Sequence, residues 1–161
     1  MLRPDPKPIE GARALLFERL VDDQRAPRHS HTTRVLDKTA LQESVRYEIE
    51  RLLNSRCPVS MQLIGEGERT VVNYGIPDFS ALSPRNTHDQ KLLVEIITQT
   101  INAFEPRLQN VRITTDRFEE NESALQIKIE AMLVIGTVYE PVCFPVMVRA
   151  KANEWKVHEC E

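Results

Sequence analysis

Leu125-Gln126-Ile127-Lys128-Ile129-Glu130-Ala131-Met132-Leu133-Val134-Ile135 is the stretch on which the fold turns. In an extended chain Leu125, Ile127, Ile129, Ala131, Leu133 and Ile135 fall on one side, and Gln126, Lys128, Glu130, Met132 and Val134 on the other. A period of two sustained over this length predicts a half-buried strand, not a helix. Upstream, Val111, Ile113 and Thr115 alternate with Arg112, Thr114 and Asp116. The charged run Glu119-Glu120-Asn121-Glu122-Ser123 between them reads as a turn, so the two strands form a hairpin. Downstream, Phe144 to Lys151 and Glu154 to Glu159 read as a second hairpin around Ala152-Asn153. Ala131 to Tyr139, with Gly136 inside it, reads as a strand and its end, and is too short to span a bilayer.

Two helices precede the strands. Ala40 to Leu53 places Leu41, Val45, Ile49, Leu52 and Leu53 on one face, with Thr39 and Gln42 at capping-box spacing. Asn54 suits a left-handed C-terminal residue, and Pro58 bars continuation. The second helix, His88 to Phe104, carries Leu92, Leu93, Ile96, Ile97, Ile101 and Phe104. Thr87 and Gln90 repeat the capping spacing, Asp89 suits the positive end of the dipole, and Pro106 ends the helix by Glu105. The class that follows is α+β: an antiparallel sheet of about four strands packed against two main helices, with an N-terminal arm.

Between the helices, Cys57 to Arg85 is broken by Gly65, Gly67, Gly75, Pro58, Pro77 and Pro84. Val72-Asn73-Tyr74-Gly75-Ile76-Pro77-Asp78-Phe79 combines a turn with large apolar residues and predicts an ordered loop packed on the core. Residues 1–38 read as arm and linker, and residues 39–161 as a single domain. In the arm, Pro4, Pro6 and Pro8 favour extended backbone. Gly11 to Val21, with the apolar patch Leu16, Phe17 and Leu20, reads as a short helix that docks on a partner or on its own domain. Asp22 to Lys38 is a polar linker with Arg25, Arg28 and Arg34.

The chain has 161 residues, 41% of them hydrophobic and 28% charged, with a net charge of −3, so it can bury a core and lacks a dominant basic face for nucleic acid. The start has no apolar segment of a secretory signal. Cys57, Cys143 and Cys160 form no CxxC pair and suit a reducing compartment. His29 and His31 alone do not close a metal site, and no cofactor is expected. Nucleophile, zinc-protease and phosphate-loop motifs are missing. Glu66 and Glu68 are the nearest approach to a carboxylate pair, but nothing apolar adjoins them to raise a pKa. At Phe104-Glu105-Pro106-Arg107-Leu108 a rigid proline corner joins the second helix to the sheet. Two opposite charges flank it, which on spacing alone form an exposed ion pair or a charge-assisted contact to another molecule.

Three runs in the same order resemble one family. They are Ser44-Val45-Arg46-Tyr47-Glu48-Ile49-Glu50-Arg51-Leu52-Leu53-Asn54-Ser55-Arg56, then Val72-Asn73-Tyr74-Gly75-Ile76-Pro77-Asp78-Phe79-Ser80, and Phe104-Glu105-Pro106-Arg107-Leu108. The family is that of the TssE baseplate subunit of the type VI secretion system, related to the small wedge proteins of contractile phage tails. Leu16-Phe17-Glu18-Arg19-Leu20 is similar to its N-terminal leucine-phenylalanine element. The resemblance implies a non-catalytic building block without cofactor, cytoplasmic and assembled at the inner face of the bacterial envelope without membrane insertion. It implies that Glu105, Pro106 and Arg107, with Leu16, Phe17 and Leu20, bind the wedge subunits TssF, TssG and TssK. It also implies that the sheet templates the sheath subunits TssB and TssC by strand exchange. Members also carry a lysozyme-like label, which makes peptidoglycan hydrolysis one rival reading. A free-standing strand-addition adaptor is another.

Overall fold

The computed structural model describes residues 12–13, 35–36, 38–61, 70–119, 124–135, 138–149 and 154–158. Two short strands, β1 (Ala12–Arg13) and β2 (Val35–Leu36), pair antiparallel. Two helices follow, α1 (Lys38–Asn54) and α2 (Thr87–Phe104). The rest is a meander of β3 (Leu108–Glu119), β4 (Ala124–Ile135), β5 (Val138–Arg149) and β6 (Glu154–Val157), hydrogen-bonded in that order and antiparallel throughout. The α+β class is the one expected from the sequence.

The alternation read in β4 is the one that packs. Leu125, Ile127, Ile129, Ala131 and Leu133 are buried, together with Val142, Phe144, Val146 and Val148 of β5 and Trp155 and Val157 of β6. Against that face lie Leu41, Val45, Ile49, Leu52 and Leu53 of α1 and Leu93, Ile96, Ile97 and Ile101 of α2. Burying apolar side chains of this size stabilises by about 1.5–3 kcal/mol each.

Several local expectations are corrected. Ala12 and Arg13, expected to open a helix, are extended and pair with Leu36 and Val35, inside what reads as linker. The patch Leu16, Phe17 and Leu20, like the Gly65-Glu66-Gly67 stretch, Glu68, His29, His31 and Cys160, lies outside the described residues. Neither capping box forms as read. Helix α1 already starts at Lys38, so Thr39 is inside it. At α2 the cap is Asn86, whose side chain accepts from the His88 N–H at 2.9 Å, while Gln90 Nε2 donates to the Pro84 carbonyl at 2.7 Å instead of turning back to the cap. Asp89 accepts from the Ser83 N–H at 2.9 Å. Asn54 is the last residue of α1 but not left-handed; among described non-glycine residues only Asn110 has positive φ, at 54°.

Strand β5 begins at Val138, six residues before the expected Phe144, so β4 and β5 form a hairpin of their own. Pro141 and Pro145 hide it from a reading by propensity. A proline is tolerated in a strand where its missing N–H would point away from a pairing partner. Strand β3 carries two register shifts, Gln109/Arg112 and Thr115/Arg117, the first holding Asn110.

The loop before α2 is ordered as expected in its described part. Ile76 bridges Arg56 in parallel, donating to the Ser55 carbonyl at 2.9 Å and accepting from the Cys57 N–H at 3.0 Å. Phe79 is buried edge-on to Trp155, ring centroids 5.3 Å apart. Cys57 is buried too, which fits a packing role.

Candidate assembly interface

Helix α2 ends where Pro106 forces it to. The Glu105 N–H still donates to the Ile101 carbonyl at 2.8 Å, and the Leu108 N–H donates back to the Glu105 carbonyl at 3.1 Å, so the chain reverses tightly into β3. The Arg107 carbonyl then accepts from the Val134 N–H at 2.8 Å, which fixes the corner to β4.

Inside this turn the two charges face each other. Arg107 Nε donates to Glu105 Oε1 at 2.7 Å and its Nη2 to Oε2 at 2.6 Å, a bidentate fork. The Arg107 backbone N–H adds a third bond to Oε1 at 3.2 Å, and Nη1 donates to Ser44 Oγ of α1 at 2.9 Å. The Glu105 side chain is 5% exposed and that of Arg107 14%. The expectation of an exposed pair is therefore wrong. The cause is Ser44, itself buried on the core face of α1, which draws the guanidinium inward. A serine at helical spacing from Leu41 inside an apolar stripe is the signal that could have revealed this strut.

Tyr74 stands beside it, with its ring edge-on to Phe104 at 5.3 Å between centroids. Burial first, then the neighbouring Glu48 carboxylate, push its phenol above the ordinary value, with Arg51 opposing. Gly75 follows at φ 111°, where a Cβ would stand 2.5 Å from the Ser55 carbonyl oxygen. The Tyr-Gly pair thus has a physical reason: one residue packs on the corner and the next lets the backbone pass α1.

Pro106 is exposed, and Val138 and Tyr139, at the hairpin end beside Val134, are 54% and 56% exposed. The ion pair is consumed inside the chain, so it holds this surface in place instead of offering charges to solvent. Among the described residues no three His, Cys, Asp or Glu side chains gather as metal ligands would, and no helix is long and apolar enough to cross a membrane.

Residues 39–137 match the family described as baseplate wedge protein gp25. The chain belongs to that family, which supports a structural role in a baseplate. A solved structure titled as the baseplate complex from the type VI secretion system contains a similar chain, 14% identical, with a TM-score of 0.48 over 66% of this chain and 93% of that one. No curated protein matches.

Proposed function

We propose that the chain is a non-catalytic wedge subunit of a type VI secretion baseplate, of the TssE kind. In this reading the Glu105-Pro106-Arg107 corner anchors it to TssF, TssG and TssK, and its sheet templates the first ring of the TssB–TssC sheath. Leu16, Phe17 and Leu20 supply a second contact from the arm. Assembly takes place in the cytoplasm at the inner face of the envelope.

The observation that carries this reading is the internal strut beneath the exposed Pro106, with the exposed Val138 and Tyr139 on the strand beyond Val134. A bidentate pair locked to Ser44 has no substrate-facing carboxylate to work as acid or base, but it ties the turn that holds Pro106 to α1, and Val138 and Tyr139 stand exposed on the strand beyond Val134. Preorganised apolar anchors of this kind are what assembly interfaces use.

The test is co-purification of the full chain with the wedge subunits of its own secretion cluster, with sheath formation followed by a fluorescent sheath subunit. Tyr139→Glu, which leaves the Glu105–Arg107 pair untouched, should preserve the melting transition and abolish both. Retention of both in Tyr139→Glu would sink the role of this surface. Cell-wall hydrolysis by the parent, lost in Glu66→Gln/Glu68→Gln, would overturn the non-catalytic reading.

A further inference from the structure

A cavity of about 640 Å³ opens beside the start of α1. Its lining includes Thr39, Gln42 and Arg46 of the helix and Ala131, Val142 and Phe144 of the sheet. Ala131 interrupts the row of large side chains that Ile129 and Leu133 form on the core face of β4, and Val142 is its partner across the ladder. These three sheet residues keep 5–8% exposure, against 0–3% for the other buried apolar residues of β4 and β5. Along these two strands the cover over the core face is thinnest here.

The helix side of the cavity supplies charge. Arg46 Nη1 donates to the Val157 carbonyl at 3.2 Å, and its two Nη atoms lie 3.5 Å from a Glu50 carboxylate oxygen and 3.9 Å from one of Glu43. Its Nε is buried and has no hydrogen-bond partner among the described residues. Apolar side chains beside an unpaired cationic donor suit an apolar segment that carries a carboxylate.

The chain brings such a segment to this place. The β1–β2 ladder pairs Arg13 with Val35, three residues before Lys38, so residues 14–34 leave and return at the start of α1. Lys38 Nζ meets Glu140 Oε2 at 2.5 Å, next to Pro141 and Val142 of the cavity lining. Leu16, Phe17 and Leu20 stand three to seven residues beyond Arg13, a reach of at most about 10–25 Å. The stretch of α1 from Thr39 to Arg46 is about 10 Å long, well inside that reach. Glu18, beside Phe17, puts a carboxylate in the middle of the apolar patch. A tether this short also holds the patch at an effective concentration that a separate chain of the same chemistry does not match.

We infer that Leu16, Phe17 and Leu20 of this chain's own arm seat in the cavity between α1 and the sheet, with the Glu18 carboxylate accepting from Arg46 Nε. The inference goes beyond the function proposed above, because it concerns the chain before any wedge subunit binds. The arm contact proposed there draws the same three side chains out of the cavity, so docking and assembly compete for them.

The test replaces Phe17 with the photo-crosslinking residue p-benzoylphenylalanine in the full chain, in dilute solution without partners. We expect adducts within one chain, mapped by mass spectrometry to residues 39–46 and 141–144. The same probe at Arg28 shares the tether but not the patch, and should give those adducts in about tenfold lower yield. Leu16→Asp/Leu20→Asp in the Phe17-probe chain should lower the yield about tenfold as well, since two apolar side chains no longer favour the cavity. The cooperative melt of that variant should persist, because the core of α1, α2 and the sheet does not use these side chains. Moved to Gln42, the probe should capture residues 16–20 in return, which covers the case in which its bulk at Phe17 does not fit. Equal yields from Phe17 and Arg28, or no capture from either Phe17 or Gln42, overturn the inference. Adducts between chains that grow with concentration assign the cavity to a second copy and overturn it too. Adducts from Phe17 that appear only on added wedge subunits assign the patch to partners alone, which overturns the docking and leaves the proposed function standing.

Discussion

The side-chain amide of Asn54, on the last residue of α1, meets the main chain of Trp155 as a neighbouring strand would, donating to its carbonyl and accepting from its N–H at 3.0 Å each. The same Nδ2 also donates to the Glu50 carbonyl at 2.8 Å, which holds the amide in that orientation. A helix end thus closes the sheet where β6 is only four residues long. Beneath it, the chain's single tryptophan is fully buried, edge-on to Phe79.

Asn54→Ala removes both bonds to Trp155 and leaves a part-buried N–H and carbonyl without these partners. The expected loss of stability is about 1–3 kcal/mol. Asn54→Asp keeps the acceptor for the Trp155 N–H but cannot donate, and should fall between. Urea melts followed by Trp155 fluorescence measure both. An Asn54→Ala midpoint equal to that of the parent would mean that water replaces the clamp at no cost.

The Glu105–Arg107 strut makes a different prediction from an exposed pair. An exposed pair contributes about 0–1 kcal/mol. Breaking a buried one strands a charge and costs about 3–5 kcal/mol. Glu105→Ala and Arg107→Ala should each destabilise the isolated chain on that larger scale, and the double variant should cost well below the sum of the two. Denaturant melts of the four proteins in the cycle decide it. Additive losses would show that the two side chains do not depend on each other. Ser44→Ala should cost about 1 kcal/mol, the contribution of one hydrogen bond.

Gly75→Ala tests the passage of the loop across the end of α1. The new Cβ would sit 2.5 Å from the Ser55 carbonyl oxygen and 2.7 Å from its carbon, both backbone, at φ 111°. Neither neighbour is the end of a flexible side chain, so the main chain itself must shift. Strain of about 1–3 kcal/mol is expected. Local hydrogen exchange at Ile76 and Cys57 should rise, because their amides bond across this crossing. Unchanged exchange at both amides would show that the loop accommodates the methyl elsewhere.

What could be read in advance follows the physics of each element. Helices α1 and α2 and strand β4 declare themselves because one face of each is buried and the other is not, so the period is written in the residue types. The early part of β5 does not, because Pro141 and Pro145 sit where a missing N–H faces away from β4, and propensity cannot see which side of a strand is paired. The corner was legible as a place: Pro106 had to end α2, and opposite charges had to flank it. Its burial was not, because burial comes from Ser44, a residue 63 positions away from Arg107, and from the register that brings α1 over the turn. Asn54 was misjudged for the same reason. Asparagine at a helix end usually serves its own backbone, and here the strand it serves lies 101 positions further on.

Tyr74 gives the site a pH signature. Burial and the Glu48 carboxylate raise its phenol above the ordinary 10.0, with Arg51 pulling the other way and Glu105 adding a smaller upward push. The neutral form is therefore the one the folded state prefers. The stabilising contribution is fully present below the unfolded phenol value near 10 and is lost as pH rises through the higher folded value. Tyr74→Phe keeps the edge-on contact with Phe104 and removes the titrating group. Between pH 9 and about 11 the parent should lose more thermal stability than Tyr74→Phe, while the two should run parallel from pH 6 to about 9. Titration of tyrosine absorbance in the folded parent should show one phenol, missing from Tyr74→Phe, that ionises above the ordinary value. Parallel melting curves across the whole alkaline range would mean that Tyr74 is solvated at the corner. The strut would then lack the low-dielectric wall that its burial implies.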